Sequence, residues 1–416
     1  MSRMKSSHSW CAVPAVFLLS VPLWWWGLVS RATAAEPPAK SYRELPVQDK
    51  LQGNHSKVTS MLRRGEFLAE LGGQETVDNY YKLYALPRWT LADNRTMLPT
   101  FRKELAGELK SAKFEPGKPN RVYAHIRDNL ILAYLRNFAR PWAPPAQEFS
   151  PAVRVNAMLM IGELNEAEPA TTTELPKPLA AAVPVLREAV EDASQLDAVK
   201  IAALDGLLRH VRLGGARDRD EGPRLLKAML NLVDTPAPPQ GRTADGHAWM
   251  RSLAADFLGE LKWAGSNGEV IKSLAKMVAE SDSPLSSRCA AARALGRLNL
   301  QGVSGLNPSD IARGLGGLAV DACKAESEPI SRRRLKDRLT AVWLGLTGRE
   351  WNPDQTSVAG IAGLATAPPH QAFVAGVRQA LENVLKPFDD RSKLDDVALT
   401  TKVQETSAAL EQAVKK

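Results

Sequence analysis

Cysteine, histidine and aromatic residues are all scarce in this 416-residue chain, which has three Cys, six His and only 6% Phe, Tyr and Trp together. So few cysteines exclude a disulfide-built scaffold, and none stand at a metal-ligand or Cys-x-x-Cys-His haem spacing. Beyond His8, the histidines His55, His125, His210, His247 and His370 lie far apart and form no His-Glu-x-x-His pair. The two-ligand helix face of a zinc protease is therefore missing. A Gly-x-Ser-x-Gly nucleophile elbow is missing too, since Gly302-Val303-Ser304-Gly305 has the wrong spacing. Gly117-Lys118 runs into Pro119 without the earlier glycine of a phosphate-cradling loop, and Gly314-Leu315-Gly316-Gly317 reads as close helix packing. Asp218-Arg219-Asp220-Glu221-Gly222 has an acidic rhythm, but Pro223 and the lack of a later glutamate spoil a calcium loop. The expectation is a chain with no catalytic site, no metal and no cofactor. Carboxylates distant in sequence that meet in a groove are the enzymatic alternative.

Charge of one sign is also in short supply. The 54 Lys and Arg against 46 Asp and Glu give +8, but Arg3, Lys5 and Arg31 lie in a first stretch of 34 residues without an acid, so the rest carries 51 − 46 = +5. A surplus that thin makes nucleic acid an unexpected partner. Apolar residues at 44% and charged at 24% describe a globular chain long enough for two or three domains' worth of core.

One long hydrophobic run is present. A basic start, an apolar stretch from Trp10 to Val29 and the small-x-small site Ala32-Thr33-Ala34 form a signal peptide over residues 1–34, with a mature start at Ala35. The run is about 20 residues long, enough to span a bilayer, so an uncleaved anchor is the rival reading. Pro14 and Pro22 favour cleavage. Either way the body is exported, to the periplasm or beyond, and touches a membrane only if the segment stays attached. In such a compartment Cys289 and Cys323 either form one disulfide or remain two buried thiols.

From residue 150 onward one phrase recurs, a basic residue followed by small and aliphatic residues at helical spacing and then a glycine near a final leucine. The copies centre on Gly162, Gly206, Gly259, Gly296 and, more weakly, Gly345, at steps of 44, 53, 37 and 49 residues. Between them lie partner segments at 179–190, 223–232, 270–279 and 308–322 with their own apolar periodicity. Alanine and glycine in the phrase would let helices approach closely, which has to offset the roughly 1 kcal/mol that a helical glycine costs.

Ser287-Arg288-Cys289-Ala290-Ala291-Ala292-Arg293-Ala294-Leu295-Gly296-Arg297-Leu298 resembles the second helix of a HEAT-type repeat, and 181–192 leading into Val199-Lys200-Ile201-Ala202-Ala203-Leu204 resembles a whole repeat. The resemblance covers about half the chain. It implies an all-α fold, an alpha-solenoid of stacked antiparallel helix pairs over 150–350, with a divergent helical region at 35–149 and a helical C-terminal cap at 351–416. It departs from the family pattern at Asp205-Gly206 and at 235–247. HEAT-like repeats commonly set an acid at the turn against a base at the second helix, and the pairs on offer are Glu148 with Arg154, Asp192 with Lys200, Asp234 with Arg251, and Asp282 with Arg288. Such pairs read as a ladder holding repeat register, with a charged ligand groove as the alternative.

Two stretches stand out as candidate binding elements. The proline- and glycine-rich loop at 234–246 interrupts helices that a short turn should join; it reads as a tolerated insertion, with a binding role for Arg242, His247 and Trp249 as the alternative. The basic run 331–338 includes Arg332, Arg334 and Arg338, which wrap around a helix without forming one stripe; it reads as a solvated helix start, with a polyanion site as the alternative. The expected function is that of an exported, non-catalytic helical-repeat scaffold that binds another protein or an envelope component. A hydrolase-like helical enzyme with its site in the groove, or a polyanion-binding module, are the alternatives.

Overall fold

The computed structural model describes residues 41–114, 118–142, 147–169, 171, 173–214, 220–326, 331–353, 359–389 and 394–416. The stretch 1–34 expected to be an export signal, with Cys11, the breaks at 115–117 and 143–146, and Asp218-Arg219 of the acidic rhythm lie outside these residues. The described chain is helical apart from one pair of short strands. Among the described residues no helix is long and apolar enough to cross a membrane.

The N-terminal region begins with α1 (His55–Arg64), which stops at Gly65, where φ is 78° and a side chain would be strained. After α2 (Gly73–Tyr80) and α3 (Leu98–Lys110), the segments α4 (Arg121–His125) and α5 (Ala133–Ala139) run on as one rod through the wider turns of Ile126–Leu132. Asn120 starts that rod: its side-chain oxygen accepts the Tyr123 N–H at 2.8 Å, and its amide donates to the Leu62 carbonyl at 2.7 Å. One residue thus caps a helix and ties it to the end of α1.

Ser150 accepts the Val153 N–H and Pro151 occupies the first position of α6 (Pro151–Glu163), as befits a helix start. The strands β1 (Asn165–Ala167) and β2 (Lys177–Pro178) then pair antiparallel. The pairing continues one residue past β2, with the Leu179 N–H donating to the Leu164 carbonyl at 2.9 Å, and α7 (Ala182–Glu191) begins three residues later than the expected 179. Next come α8 (Asp197–Arg212), α9 (Glu221–Asp234), α10 (Ala244–Leu261), α11 (Glu269–Ala279), α12 (Leu285–Arg297), α13 (Pro308–Ala325) and α14 (Arg332–Thr347). The chain ends with α15 (Gly360–Leu364), α16 (Pro368–Leu385) and α17 (Asp396–Lys415), which pack onto α13 and α14.

Every copy of the glycine phrase lies on one of α6, α8, α10, α12 and α14, and these five helices pack on one another in that order. Each also packs on the helix before it in the chain, while α7, α9, α11 and α13 contact one another in succession. Small residues are what allow the stack. A Cβ on Gly162 would stand 2.8 Å from the Cα of Gly206, and one on Gly259 would stand 2.7 Å from the Cα of Ala294. Ala254, Ala255, Ala290, Ala291, Ala292 and Ala294 are all completely buried in the same seams.

Buried arginines bind successive layers, with partners that differ from those the sequence suggested. Arg154 keeps its expected ion pair with Glu148 at 3.4 Å, but it also donates to the Ala139 carbonyl at the end of α5 and to Gln195 in the next turn. Arg251 meets Glu280 at 2.8 Å instead of Asp234, and donates to the Val233 carbonyl near the end of α9. Arg288 meets Asp321 at 2.8 Å instead of Asp282, and donates to the Val278 carbonyl near the end of α11. The reason is geometric: each guanidinium fork points at carbonyls that the preceding helix leaves unsatisfied and at an acceptor of the following layer. Lys200 makes no ion pair with Asp192, and its single ammonium caps no carbonyl among the described residues.

Candidate functional site

Three places gather functional side chains. The first is a groove of about 580 Å³ that crosses α10, α12 and α14. Trp249 stands in its wall with 58% of its surface exposed, on the first half of a helix whose start is set by the Thr243 cap. Arg293 reaches Asp256 at 3.3 Å, and Arg334 and Arg338 share the buried Glu326 carboxylate at 3.3 and 2.6 Å. Cys289 also faces the groove, but burial pushes its thiol pKa up to about 11, and Cys323 is pushed up to about 12 by burial alone. Both cysteines are free thiols, not a disulfide.

Two of the three expected basic residues therefore meet Trp249, from the other expected stretch, in one groove. Arg332 does not join them. It turns toward the C-terminal helix, donating to the Leu394 carbonyl at 2.5 Å and lying 3.6 Å from Asp396. The run 331–338 wraps around its helix instead of presenting one stripe.

The second place is a larger cleft, of about 1520 Å³, between the end of α7, α9 and the loop before α10. Arg242 and His247 line it and anchor the loop. Arg242 donates to Asp197 at 3.0 Å and to His247 Nδ1 at 3.2 Å, and His247 Nε2 donates to the Thr235 carbonyl at 2.7 Å. A ring nitrogen that faces a carbonyl must carry the hydrogen, which leaves Nδ1 as the acceptor for the arginine and the ring neutral. Burial lowers the His247 pKa and favours that same form. The irregular loop is thus pinned at both ends.

The third place had no sequence signal. In the N-terminal region Glu108 accepts the hydroxyls of Tyr80 at 2.9 Å and Tyr81 at 2.8 Å, and lies 3.0 Å from His55 Nε2. A cavity of about 590 Å³ opens over His55, Tyr80, Arg88 and Glu108. Burial, followed by the Glu108 charge, holds both tyrosines well above their usual pKa, so they act as fixed donors. These residues lie up to 53 positions apart, and only packing of α1, α2 and α3 brings them together.

Among the described residues no group of three or more His, Cys, Asp or Glu side chains is placed to hold a metal ion. No protein-family model, no curated protein and no solved structure matches this chain.

Proposed function

We propose that the chain is an exported HEAT-like α-solenoid of antiparallel helix pairs that binds another protein, or a component of the cell envelope, without covalent chemistry. The observation that carries this reading is Trp249, a large aromatic left 58% exposed in the wall of a groove bordered by Arg293, Arg334 and Arg338. Tryptophan and arginine dominate the energetics of protein interfaces, and stacked helices of this kind present extended recognition surfaces. Aspartates 245, 256 and 337 share the groove, so both signs of charge are available, which suits a protein surface better than a polyanion. The export half of the reading rests on the signal at residues 1–34.

In-cell crosslinking of the native protein, followed by recovery and mass spectrometry, tests it. A partner captured reproducibly by the native chain and lost from Trp249→Ala supports the reading. Failure to capture any specific partner under conditions that trap known complexes refutes it, as does a partner indifferent to Trp249.

The Glu108 cluster favours a second reading, a helical hydrolase, because a carboxylate, an imidazole and the Tyr80 phenol meet at one cavity, with the buried Tyr81 hydroxyl holding the carboxylate from behind. Against it, three partners already hold Glu108, two of them hydroxyls with raised pKa that donate to the carboxylate and favour its charged form. A hydrolase screen in which Glu108→Gln abolishes turnover would establish it.

A further inference from the structure

Lys200 is the odd member of the buried basic row. Arg154, Arg251 and Arg288 each bridge a helix end to an acceptor in the next layer, whereas Lys200, only 3% exposed, has no hydrogen bond or ion pair among the described residues. Its stem is packed between helices while its ammonium reaches the lining of a cleft, so the charge is free to pair with something that enters there. Burial, and after it the Arg242 guanidinium, lower its pKa, while Asp197 and Asp192 pull the other way. Asp197 is itself occupied by Arg242 at 3.0 Å.

Lys200 lines the large cleft of about 1520 Å³. On another wall α9 sets Leu226 and Leu230 one turn apart, both only half-buried, with Leu196 beside them. Arg224 and Lys227 stand on the same helix at the exposed rim. A cationic anchor and an apolar wall in one cleft match a ligand with both characters. The volume exceeds the roughly 300–1,000 Å³ of pockets for drug-sized ligands, so a bare inorganic ion would leave most of it unfilled.

We propose that this cleft binds a small anionic amphiphile, its carboxylate or phosphate head group paired with the Lys200 ammonium and its apolar chain lying along Leu226 and Leu230. The site shares no lining residue with the groove around Trp249 and stands whether or not that groove binds a protein.

Calorimetric titration of the purified full chain with octyl phosphate below its micellar concentration, with octanoate, and with inorganic phosphate tests the proposal. At least one of the two alkyl ligands is expected to bind saturably and at least about tenfold more tightly than inorganic phosphate. Preference between octyl phosphate and octanoate identifies the head group. Lys200→Met, which keeps the apolar stem and removes only the charge, is expected to weaken binding at least about tenfold without lowering the melting temperature, while Trp249→Ala leaves binding unchanged. The proposal is overturned if neither alkyl ligand binds saturably, if inorganic phosphate binds as well, if Lys200→Met binds as tightly as the native chain, or if a peptide with an acidic C-terminus binds in preference to both. Should Lys200→Met fail to fold, Leu226→Asp carries the test: it sets a like charge beside the bound anion, and undiminished binding overturns the proposal.

Discussion

Acidification should destabilise this protein through His210, and the effect can be isolated. The ring is fully buried on α8, and neither nitrogen has a hydrogen-bond partner among the described residues. Burial, with a smaller contribution from the neighbouring Arg209 guanidinium, lowers its pKa from 6.5 to about 4. The folded state therefore refuses a proton that the unfolded chain accepts. Stability from this group is complete above pH 6.5 and is lost as the pH falls from about 6.5 toward about 4. The lowered pKa corresponds to about 3 kcal/mol, most of which is lost by pH 4.5. Urea denaturation of the native chain and of His210→Leu, at pH 7.5 and pH 4.5, measures it. At pH 7.5 the leucine variant should be about as stable as the native chain, because it removes an unsatisfied polar group from an apolar site. Between the two pH values the native chain should lose about 2–3 kcal/mol more than the variant, with the titration of all other groups cancelling in the comparison. Equal losses would refute the reasoning.

Other consequences follow from the packing. Gly259→Val sets a branched side chain against the Cα of Ala294, and should destabilise the protein by about 2–3 kcal/mol in chemical denaturation, with the change in folding visible by circular dichroism. Arg251→Met strands Glu280 and the Val233 carbonyl, and should cost about 3–5 kcal/mol; a loss under about 1 kcal/mol would show that the buried pair is dispensable. Because burial raises both thiol pKa values, iodoacetamide at pH 8 should modify neither Cys289 nor Cys323 until urea unfolds the chain, as peptide mapping by mass spectrometry would report.

Much of the helical layout was legible in the chain itself. The expected segments at 223–232, 270–279 and 308–322 lie within α9, α11 and α13, and all five glycine phrases lie on helices that stack on one another. The hairpin of β1 and β2 was not legible, because Lys177–Pro178 has too little chain for an alternating pattern to register. The tyrosine pair on Glu108 was hidden for another reason, since its members come from separate elements and carry no common spacing. Lys200 did carry a signal, a lysine where other copies of the phrase have arginine, but nothing local says that its ammonium is left without an acceptor.

Local periodicity, caps and small residues act within a turn or two of chain, so the sequence alone determined where helices form and which faces can approach. Ion-pair choice lay beyond that range. Arg251 finds Glu280 instead of Asp234, and Arg332 finds Asp396 while Arg334 and Arg338 find Glu326, because helix stacking decides which carboxylate falls within reach of each guanidinium. The same stacking brings Trp249 beside Arg338 and opens the cleft over Lys200. Those distances are properties of the packed layers, since charges remote in sequence interact strongly only after burial removes the water between them.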